Sequence, residues 1–211
     1  MNNRSSGIIS VMIADDHPLL RSGIAAVLSA DPRFAVVAEA CDGDLALELY
    51  QRFRPDVTLM DLQMPGLNGI DATIAIRDIN PQARIIILTT YGGEVQVARG
   101  LKAGASGYIL KNMARTELSH YILSVHAGQQ QLAPQLACSL ASSFQQDTLS
   151  KREIQVLRVI ADGNSNQRAG TQLGLSEDTI KAHMKTILQK LDARDRTHAV
   201  MIAMRRGYWE A

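Results

Sequence analysis

Cysteine is scarce in this chain and long apolar runs are absent, and each shortage excludes a class of protein. Among 211 residues only Cys41 and Cys138 are cysteines, and they form no Cys-x-x-Cys pair. We therefore expect structural thiols and neither a disulfide framework nor a cysteine metal site. No apolar run approaches roughly 18 residues, and no basic and apolar leader opens the chain, so we expect a soluble cytoplasmic protein without a membrane partner.

Net charge is also small, at +1, but it is unevenly distributed. Residues 1–147 hold 11 Lys and Arg against 14 Asp and Glu, whereas residues 148–211 hold 11 against 7. An acidic first part and a basic last part indicate two domains, the second of which faces a polyanion. A merely solvated basic surface would give the same split, so the motifs have to decide.

Short apolar runs and longer amphipathic segments alternate through the first part of the chain. The runs predict buried strands at Ile8–Ala14, Ala35–Ala40, Val57–Asp61, Arg84–Thr90 and Gly107–Leu110. The amphipathic segments predict helices at Pro18–Ala30, Asp44–Phe53, Asn68–Asn80, Gly92–Ala103 and Ala114–Ala127. Five strands alternating with five helices predict an α/β fold built on a doubly wound, five-stranded parallel sheet.

Polar side chains stand where four of these strands end. Asp15 and Asp16 follow the first strand, Asp61 ends the third, Thr89 lies at the end of the fourth, and Lys111 follows the fifth. Because parallel strands present their carboxyl ends at one edge of the sheet, all five residues should converge there.

Asp61 by itself allows two interpretations, a cap for the turn at Pro65-Gly66 or an acceptor or metal ligand. The convergence favours the second, because three carboxylates repel one another unless a cation joins them. Hard oxygen ligands with positions left open for water favour Mg²⁺. A lysine ammonium and a hydroxyl beside them suit a phosphoryl group, since they neutralise charge and donate a hydrogen bond. A chance collection of caps and surface ions is the alternative.

The same residues, together with Met64-Pro65-Gly66 and Gly107-Tyr108-Ile109-Leu110-Lys111, carry a family resemblance. From about Ile8 to Gly128 the chain resembles the flavodoxin-like receiver domain of bacterial two-component response regulators. The resemblance implies that Asp61 takes a phosphoryl group from a phosphohistidine of a sensor histidine kinase. It also implies that Asp16, Asp61 and the backbone carbonyl of Gln63 bind Mg²⁺, with help from Asp15. Lys111 would contact the phosphate, Thr89 would hydrogen-bond it, and Tyr108 would reposition as Thr89 moves.

Residues 129–147 differ in composition, since they are rich in Gln and Ser and carry few charges. Leu136, Leu140 and Phe144 are spaced four apart, which predicts a short helix within a linker. We therefore divide the chain into residues 1–128, a linker at 129–147, and a second domain at 148–211.

The second domain contains four predicted helices, at Ser150–Asp162, Ser165–Leu173, Ser176–Leu191 and Arg196–Arg206. Two short helices joined by a turn, the second carrying Lys181 and Lys185 near its start, describe a helix-turn-helix. An ordinary amphipathic helix with solvated lysines is the alternative.

The segment Leu149–Met204 resembles the LuxR-type domain of NarL/LuxR response regulators. The motifs that carry the resemblance are Leu149-Ser150-Lys151-Arg152-Glu153, Ala161-Asp162-Gly163-Asn164-Ser165-Asn166, Leu175 to His183, and Lys190-Leu191. The resemblance implies binding to double-stranded DNA, with Lys181, Ala182 and Lys185 facing the major groove and Thr179 touching the backbone or a base edge. It also implies a homodimer, formed through Ala199, Val200, Ile202 and Ala203 of the last helix.

One helix departs from the family pattern. Ser165-Asn166-Gln167-Arg168-Ala169-Gly170 stands where the family usually has Ser-Asn-Lys-Glu-Ile-Ala. Arg168 places a cation at the positive end of the helix, Ala169 fills less core than Ile, and Gly170 costs roughly 1 kcal/mol relative to Ala. These changes predict a softer second helix.

The combined interpretation is a transcription factor that phosphorylation controls, dimeric when phosphorylated and not a metabolic enzyme. A phosphatase with Asp61 as its nucleophile would need an acid two residues on, but that position is Gln63. A DNA-binding protein with a vestigial receiver would have lost part of the set that this chain retains.

Overall fold

The computed structural model describes residues 7–90, 93–112, 115–132 and 148–209, which form two compact units. Elements of the first unit are β1 Ile9–Ala14, α1 Pro18–Ser29, β2 Phe34–Ala40, α2 Gly43–Phe53, β3 Val57–Asp61, α3 Gly69–Ile79, β4 Ile85–Thr89, α4 Glu94–Lys102 (from Val97 onward), β5 Gly107–Leu110, α5 Arg115–His126 and β6 Gln131–Leu132. Elements of the second are α6 Lys151–Ala161, α7 Asn166–Leu173, α8 Glu177–Leu191 and α9 Arg196–Arg205.

The predicted strands and helices of both units are confirmed, with ends that differ by at most two residues. The predicted linker helix at Leu136–Phe144 lies outside the described residues. Among the helices that the structure describes, none is both long and apolar enough to span a membrane.

The sheet has the strand order β2-β1-β3-β4-β5-β6, and every neighbouring pair is parallel. The predicted doubly wound topology is therefore confirmed. The order of the strands reverses between β1 and β3, which is where flavodoxin-like sheets bind their ligands. Ala14 is the register partner of Met60, and Asp61 is the partner of Leu88, so the carboxyl ends of β1, β3 and β4 lie side by side.

The prediction of five strands was one strand too few. Gln131–Leu132 forms β6, which pairs with β5 so that Leu132 lies opposite Tyr108. The backbone N–H of Gln131 donates to the carbonyl of Ser106 at 3.0 Å. Two residues are too short to show a strand periodicity, so only the open edge of β5 decides their conformation. The first residues of the predicted linker thus belong to the sheet.

Two apolar layers cover the sheet. On one face, Ile13 packs in a cluster with Leu28 of α1. On the other face, Met12 and Met60 pack with Ile76 of α3. Because β1 and β3 are buried on both faces, their sequences are apolar without alternation, and their polar groups are concentrated at the strand ends.

A buried ion pair joins two helices of the second unit. Ser150 caps α6 through the predicted capping box, and its N–H donates to the Glu153 carboxylate at 2.7 Å. That carboxylate also lies 2.9 Å from the Nζ of Lys190, near the end of α8. Burial alone would raise the pKa of Glu153, but the hydrogen bonds from Lys190 and Ser150 hold the pKa below its ordinary value. The pair therefore ties the start of α6 to the end of α8.

Helix α7 forms in spite of its departures from the family pattern. Ser165 still caps it, because its hydroxyl accepts the N–H of Arg168 at 3.3 Å. A Cβ on Gly170 would lie 2.6 Å from the carbonyl oxygen of Leu175, whose own N–H donates to the Gly170 carbonyl at 2.8 Å. Gly170 therefore lets the turn into α8 close over α7, a steric role that helix propensity does not reveal. The softness of α7 stays a prediction.

We expect Gly170→Ala to destabilise the second unit by roughly 1–3 kcal/mol, because the new methyl group would overlap a backbone carbonyl. Helix propensity alone predicts the opposite, a gain of about 1 kcal/mol. Chemical denaturation followed by the fluorescence of Trp209, the only tryptophan, measures the change. Gly23→Ala is the control for helix propensity, since a Cβ at Gly23 of α1 meets nothing within 4 Å. Its unfolding is followed by circular dichroism, and equal stabilisation by both changes would contradict the steric role.

Candidate functional site

A lysine joins two buried carboxylates at the carboxyl edge of the sheet. Asp61 is the last residue of β3 and is 1% exposed, and Asp15 follows β1 and is 0% exposed. The Nζ of Lys111, which follows β5, lies 2.7 Å from Asp61 Oδ2 and 2.9 Å from Asp15 Oδ2. The predicted convergence of these three strand ends is therefore observed.

The protonation of this cluster reflects its burial. Burial raises the pKa of Asp61 to about 6, the hydrogen bond from Lys111 opposes that rise, and the charge of Asp15 adds to it. Burial alone would lower the pKa of Lys111, but hydrogen bonds to Asp61 and Asp15 raise the pKa above its ordinary value. The lysine therefore stays charged, and one ammonium faces two carboxylates.

Asp16 brings a third carboxylate to the same place. Ligand atoms of Asp15, Asp16, His17 and Asp61 all lie within 4.8 Å of one another. Lys111 contacts two of these three acids, and a divalent metal ion would neutralise the negative charge that remains. The donor set therefore fits a divalent cation.

Two residues that sequence reasoning did not single out help to shape this cluster. The Nδ1 of His17 lies 2.7 Å from Asp16 Oδ1, and the backbone N–H of His17 donates to Asp15 Oδ1 at 2.9 Å. The guanidinium of Arg21, one turn into α1, donates to the Asp15 carbonyl at 2.6 Å. The signal that could have found them is their position just after the Asp15-Asp16 pair.

Gln63 and Thr89 lie on the loop and the strand next to Asp61. The backbone N–H of Gln63 hydrogen-bonds the Asp61 side chain, which lowers the pKa of that carboxyl against the effect of burial. Thr89 is 4% exposed at the end of β4, directly after Leu88, the register partner of Asp61. The carbonyl of Thr89 accepts the N–H of Lys111 at 2.7 Å, so their backbones are joined.

Tyr108 is fully buried in a cluster with Ile87 of β4 and Val97 of α4. A Cβ on Gly100 of α4 would lie 2.7 Å from Cε2 of the tyrosine ring. Gly100 therefore makes room for the ring, and any movement of the ring changes the packing of α4. A glycine inside a predicted helix was the sequence signal for this contact.

The second unit presents two different faces of α8. Ile180, Met184, Ile187 and Leu191 are buried, whereas Lys181, Ala182 and Lys185 are exposed. The turn between Leu173 and Glu177 joins α7 to α8, as the predicted helix-turn-helix requires. Lys181 also has acidic partners, since its Nζ lies 3.0 Å from Glu177 Oε1 and 3.3 Å from Asp178 Oδ1.

Thr179 takes part in the cap of α8. Its N–H donates to the Ser176 hydroxyl at 3.1 Å, and the two hydroxyl oxygens are 2.8 Å apart. The residue is half-buried, so its side chain supports the start of the helix at the same place where contact with DNA was predicted.

The expectation that Ala199, Ile202 and Ala203 offer a dimer surface is wrong. These residues are 0%, 6% and 0% exposed, and they pack in the core of their own unit. On the same helix Val200 is half-buried, and Met201 is 64% exposed. The small apolar residues of α9 therefore serve the packing against α6 and α8, which a repeat of apolar residues alone does not distinguish from an interface.

Comparisons with known proteins agree with this architecture. Residues 11–123 match the response regulator receiver domain family, and residues 147–203 match the bacterial regulatory proteins of the luxR family. The transcriptional regulatory protein DegU of Brevibacillus brevis is 34% identical over 223 residues, which cover 95% of this chain and 94% of DegU. The nitrate/nitrite response regulator protein NarL of Escherichia coli K12 is 33% identical, covering 91% and 93%.

Solved structures of response regulators are also similar over nearly the whole chain. The response regulator ChrA of a heme-sensing two-component system is 35% identical with a TM-score of 0.60, covering 95% of this chain and 98% of ChrA. The two-component response regulator RcsB in its DNA complex is 26% identical with a TM-score of 0.68, covering 94% and 98%. The chain therefore belongs to the NarL/LuxR-type two-component response regulators, with a receiver domain followed by a LuxR-type DNA-binding domain.

Proposed function

We propose that a sensor histidine kinase phosphorylates Asp61 and that this phosphorylation controls the binding of a homodimer to DNA in the cytoplasm. The observation that carries the proposal is the ammonium of Lys111, held 2.7 Å from the carboxylate of Asp61 in a buried acidic cluster. The protein then acts as a switch and not as a metabolic enzyme, although slow self-dephosphorylation is expected of an aspartyl phosphate.

We propose that Mg²⁺ binds to Asp15, Asp16, Asp61 and the backbone carbonyl of Gln63. The convergence of the three carboxylates supports this assignment. Bound there, Mg²⁺ would supply charge neutralisation on the transferring phosphoryl group. The Nδ1 of His17 lies 2.7 Å from Asp16 Oδ1 and helps to orient that carboxylate.

In the proposed transfer, an ionised oxygen of Asp61 attacks the phosphorus of the phosphohistidine, and the nitrogen–phosphorus bond breaks. Lys111 stabilises the negative charge of the phosphoryl oxygens, because its ammonium already lies within hydrogen-bond reach of the acceptor. Thr89 then donates a hydrogen bond to a phosphoryl oxygen, and Tyr108 moves with it. Movement of Tyr108 would change the packing of α4, since the tyrosine ring lies against Gly100 of that helix.

For the output we propose that α8 enters the major groove with Lys181, Ala182 and Lys185, while Thr179 contacts the backbone or a base edge. A dimer would then read two half-sites in adjacent major grooves. We retain the division into a receiver domain at 1–128, a linker at 129–147 and a DNA-binding domain at 148–211. Within the linker so defined, Gln131–Leu132 pair with the receiver sheet as β6.

Incubation with a small phosphodonor and Mg²⁺ should add one phosphoryl group to the wild type and none to Asp61→Asn, as intact-mass spectrometry would show. Asp78→Asn is the matched control, because it removes an exposed carboxylate of α3 and should leave labelling unchanged. Equal labelling of Asp61→Asn and the wild type would rule out the acceptor role of Asp61.

Without metal, Asp61→Asn should stabilise the receiver domain at pH 7.5 by about 1–3 kcal/mol. The pKa of Asp61 is raised to about 6 in the folded protein, so the native state holds this proton more tightly than the unfolded chain does. Stability from this group is therefore present below about pH 4 and is lost as the pH rises to about 6.

Thermal melts in a chelator at pH 4 and pH 7.5 measure this difference, which should vanish at pH 4. Adding Mg²⁺ at pH 7.5 should stabilise the wild type and leave Asp61→Asn nearly unchanged, because the variant lacks a ligand. A wild type that is more stable than Asp61→Asn in the chelator at pH 7.5 would show that burial does not destabilise the ionised carboxyl of Asp61.

Lys181→Ala and Lys185→Ala should each weaken DNA binding severalfold. The slope of log K against log salt should become shallower wherever the lost ammonium contacted a phosphate. Fluorescence anisotropy over a range of salt concentrations measures both quantities. Lys102→Ala removes the same charge from exposed α4 of the receiver and serves as the control. Unchanged affinity and salt slope in both α8 variants would exclude this face of α8 from the groove.

A further inference from the structure

The exposed face of α8 carries an acid among its predicted DNA contacts. Asp178, Lys181, Ala182, Lys185 and Gln189 are all exposed and are spaced at i, i+3, i+4, i+7 and i+11, which places them on one stripe of the helix. The stripe lies opposite the buried residues of α8. Asp178 therefore faces the same way as the lysines, and its side chain is 92% exposed. It also stands in the first turn, the part of a recognition helix that contacts base edges.

A carboxylate at this position repels the DNA phosphates, but it can accept hydrogen bonds from some bases and not from others. In the major groove guanine offers only acceptors, and thymine offers an acceptor and a methyl group. Adenine offers an amino group, but the neighbouring N7 acceptor repels a second carboxylate oxygen. Cytosine offers its N4 amino group without such a neighbour on the same base. Cytosine is therefore the base that best donates a hydrogen bond to a carboxylate.

Lys181 completes the pattern, because its Nζ lies 3.3 Å from Asp178 Oδ1. The two side chains thus set an acceptor beside a donor. The major-groove edge of a C·G pair sets the cytosine N4 donor beside the guanine O6 and N7 acceptors. We propose that Asp178 and Lys181 together read one C·G pair in each half-site and that Asp178 is a specificity-determining residue.

This inference rests on the proposed entry of α8 into the major groove. Within that arrangement the ion pair has two uses. In the free protein Glu177 and Asp178 together hold Lys181 over the exposed stripe, and in the complex Asp178 and Lys181 each exchange this contact for a base edge. Glu177 is the second acid on Lys181, at 3.0 Å, but it lies about 100° around the helix from Asp178, beyond the edge of the stripe that Lys181 forms. Glu177 therefore serves as a control that has the same charge as Asp178 at a different position around the helix.

The test uses the full-length protein treated with a phosphodonor. Selection from a random DNA pool defines the site of the wild type, and competition with all four base pairs at each position then measures discrimination. We expect one C·G pair per half-site whose replacement weakens wild-type binding about tenfold. Asp178→Ala should lose that discrimination at this position alone, and it should bind unrelated DNA more tightly because a charge that repels phosphates is gone.

Asp178→Asn gives the sharper outcome, because an Asn side chain pairs in a bidentate manner with adenine N6 and N7. The preferred base pair at this one position should therefore change from C·G to A·T. Glu177→Gln removes the same charge from the same turn and should keep the C·G preference. Circular dichroism melts of each variant confirm that α8 is folded.

Two results would overturn the inference. If Asp178→Ala and Asp178→Asn keep the wild-type preference at every position, Asp178 does not read a base. If Glu177→Gln shifts the preference as strongly as Asp178→Asn, general charge and not position is responsible. Failure of the proposed function looks different, since Lys181→Ala and Lys185→Ala would then bind as tightly as the wild type.

Discussion

The structure depends on one ammonium held between two buried carboxylates. Lys111 can reach both Asp15 and Asp61 only because β1, β3 and β5 run parallel and end at the same edge of the sheet. Burial makes the cluster unfavourable as long as its charges are uncompensated, which is why the pKa of Asp61 is raised to about 6. A site with this excess of negative charge gains from a divalent cation, which replaces repulsion between carboxylates by attraction. The apolar layers on both faces of the sheet exclude water, and the lower dielectric constant strengthens the electrostatic interactions of the cluster.

The same constraint connects the site to the rest of the receiver. Thr89 and Lys111 are joined by a backbone hydrogen bond, so the two groups that would contact phosphate move on one piece of the sheet. Tyr108 lies within that piece, and its ring fills the space that Gly100 leaves on α4. A buried ring in such a packed site cannot move without displacing its neighbours, because protein interiors are dense. A chemical event at Asp61 can therefore become a change in the packing of α4.

In the second unit, the residues that hold the fold and the residues proposed to contact DNA occupy opposite sides of one helix. Glu153 and Lys190 fix α6 to α8 from within, and Gly170 lets the turn before α8 close over α7. The groove face is thus presented on a rigid element. That face carries both signs of charge. In the proposed complex the lysines attract the polyanion, and Asp178 and Lys181 together restrict which base edge the helix accepts.

The sequence alone determined the alternation of strands and helices, the parallel sheet, the acidic strand ends and the helix-turn-helix, because hydrophobic periodicity and capping residues are local signals. It could not predict β6, since two residues show no periodicity and the open edge of β5 decides their conformation. The contacts of His17 and Arg21 with the acidic pair and of Gly170 with Leu175 join residues close in the chain, but they form only when the turns between them fold. The burial of Ala199, Ile202 and Ala203 depends on neighbours distant in the chain. Tertiary structure alone decided them, because the same small or charged residue serves a core, a turn or a surface according to what packs against it.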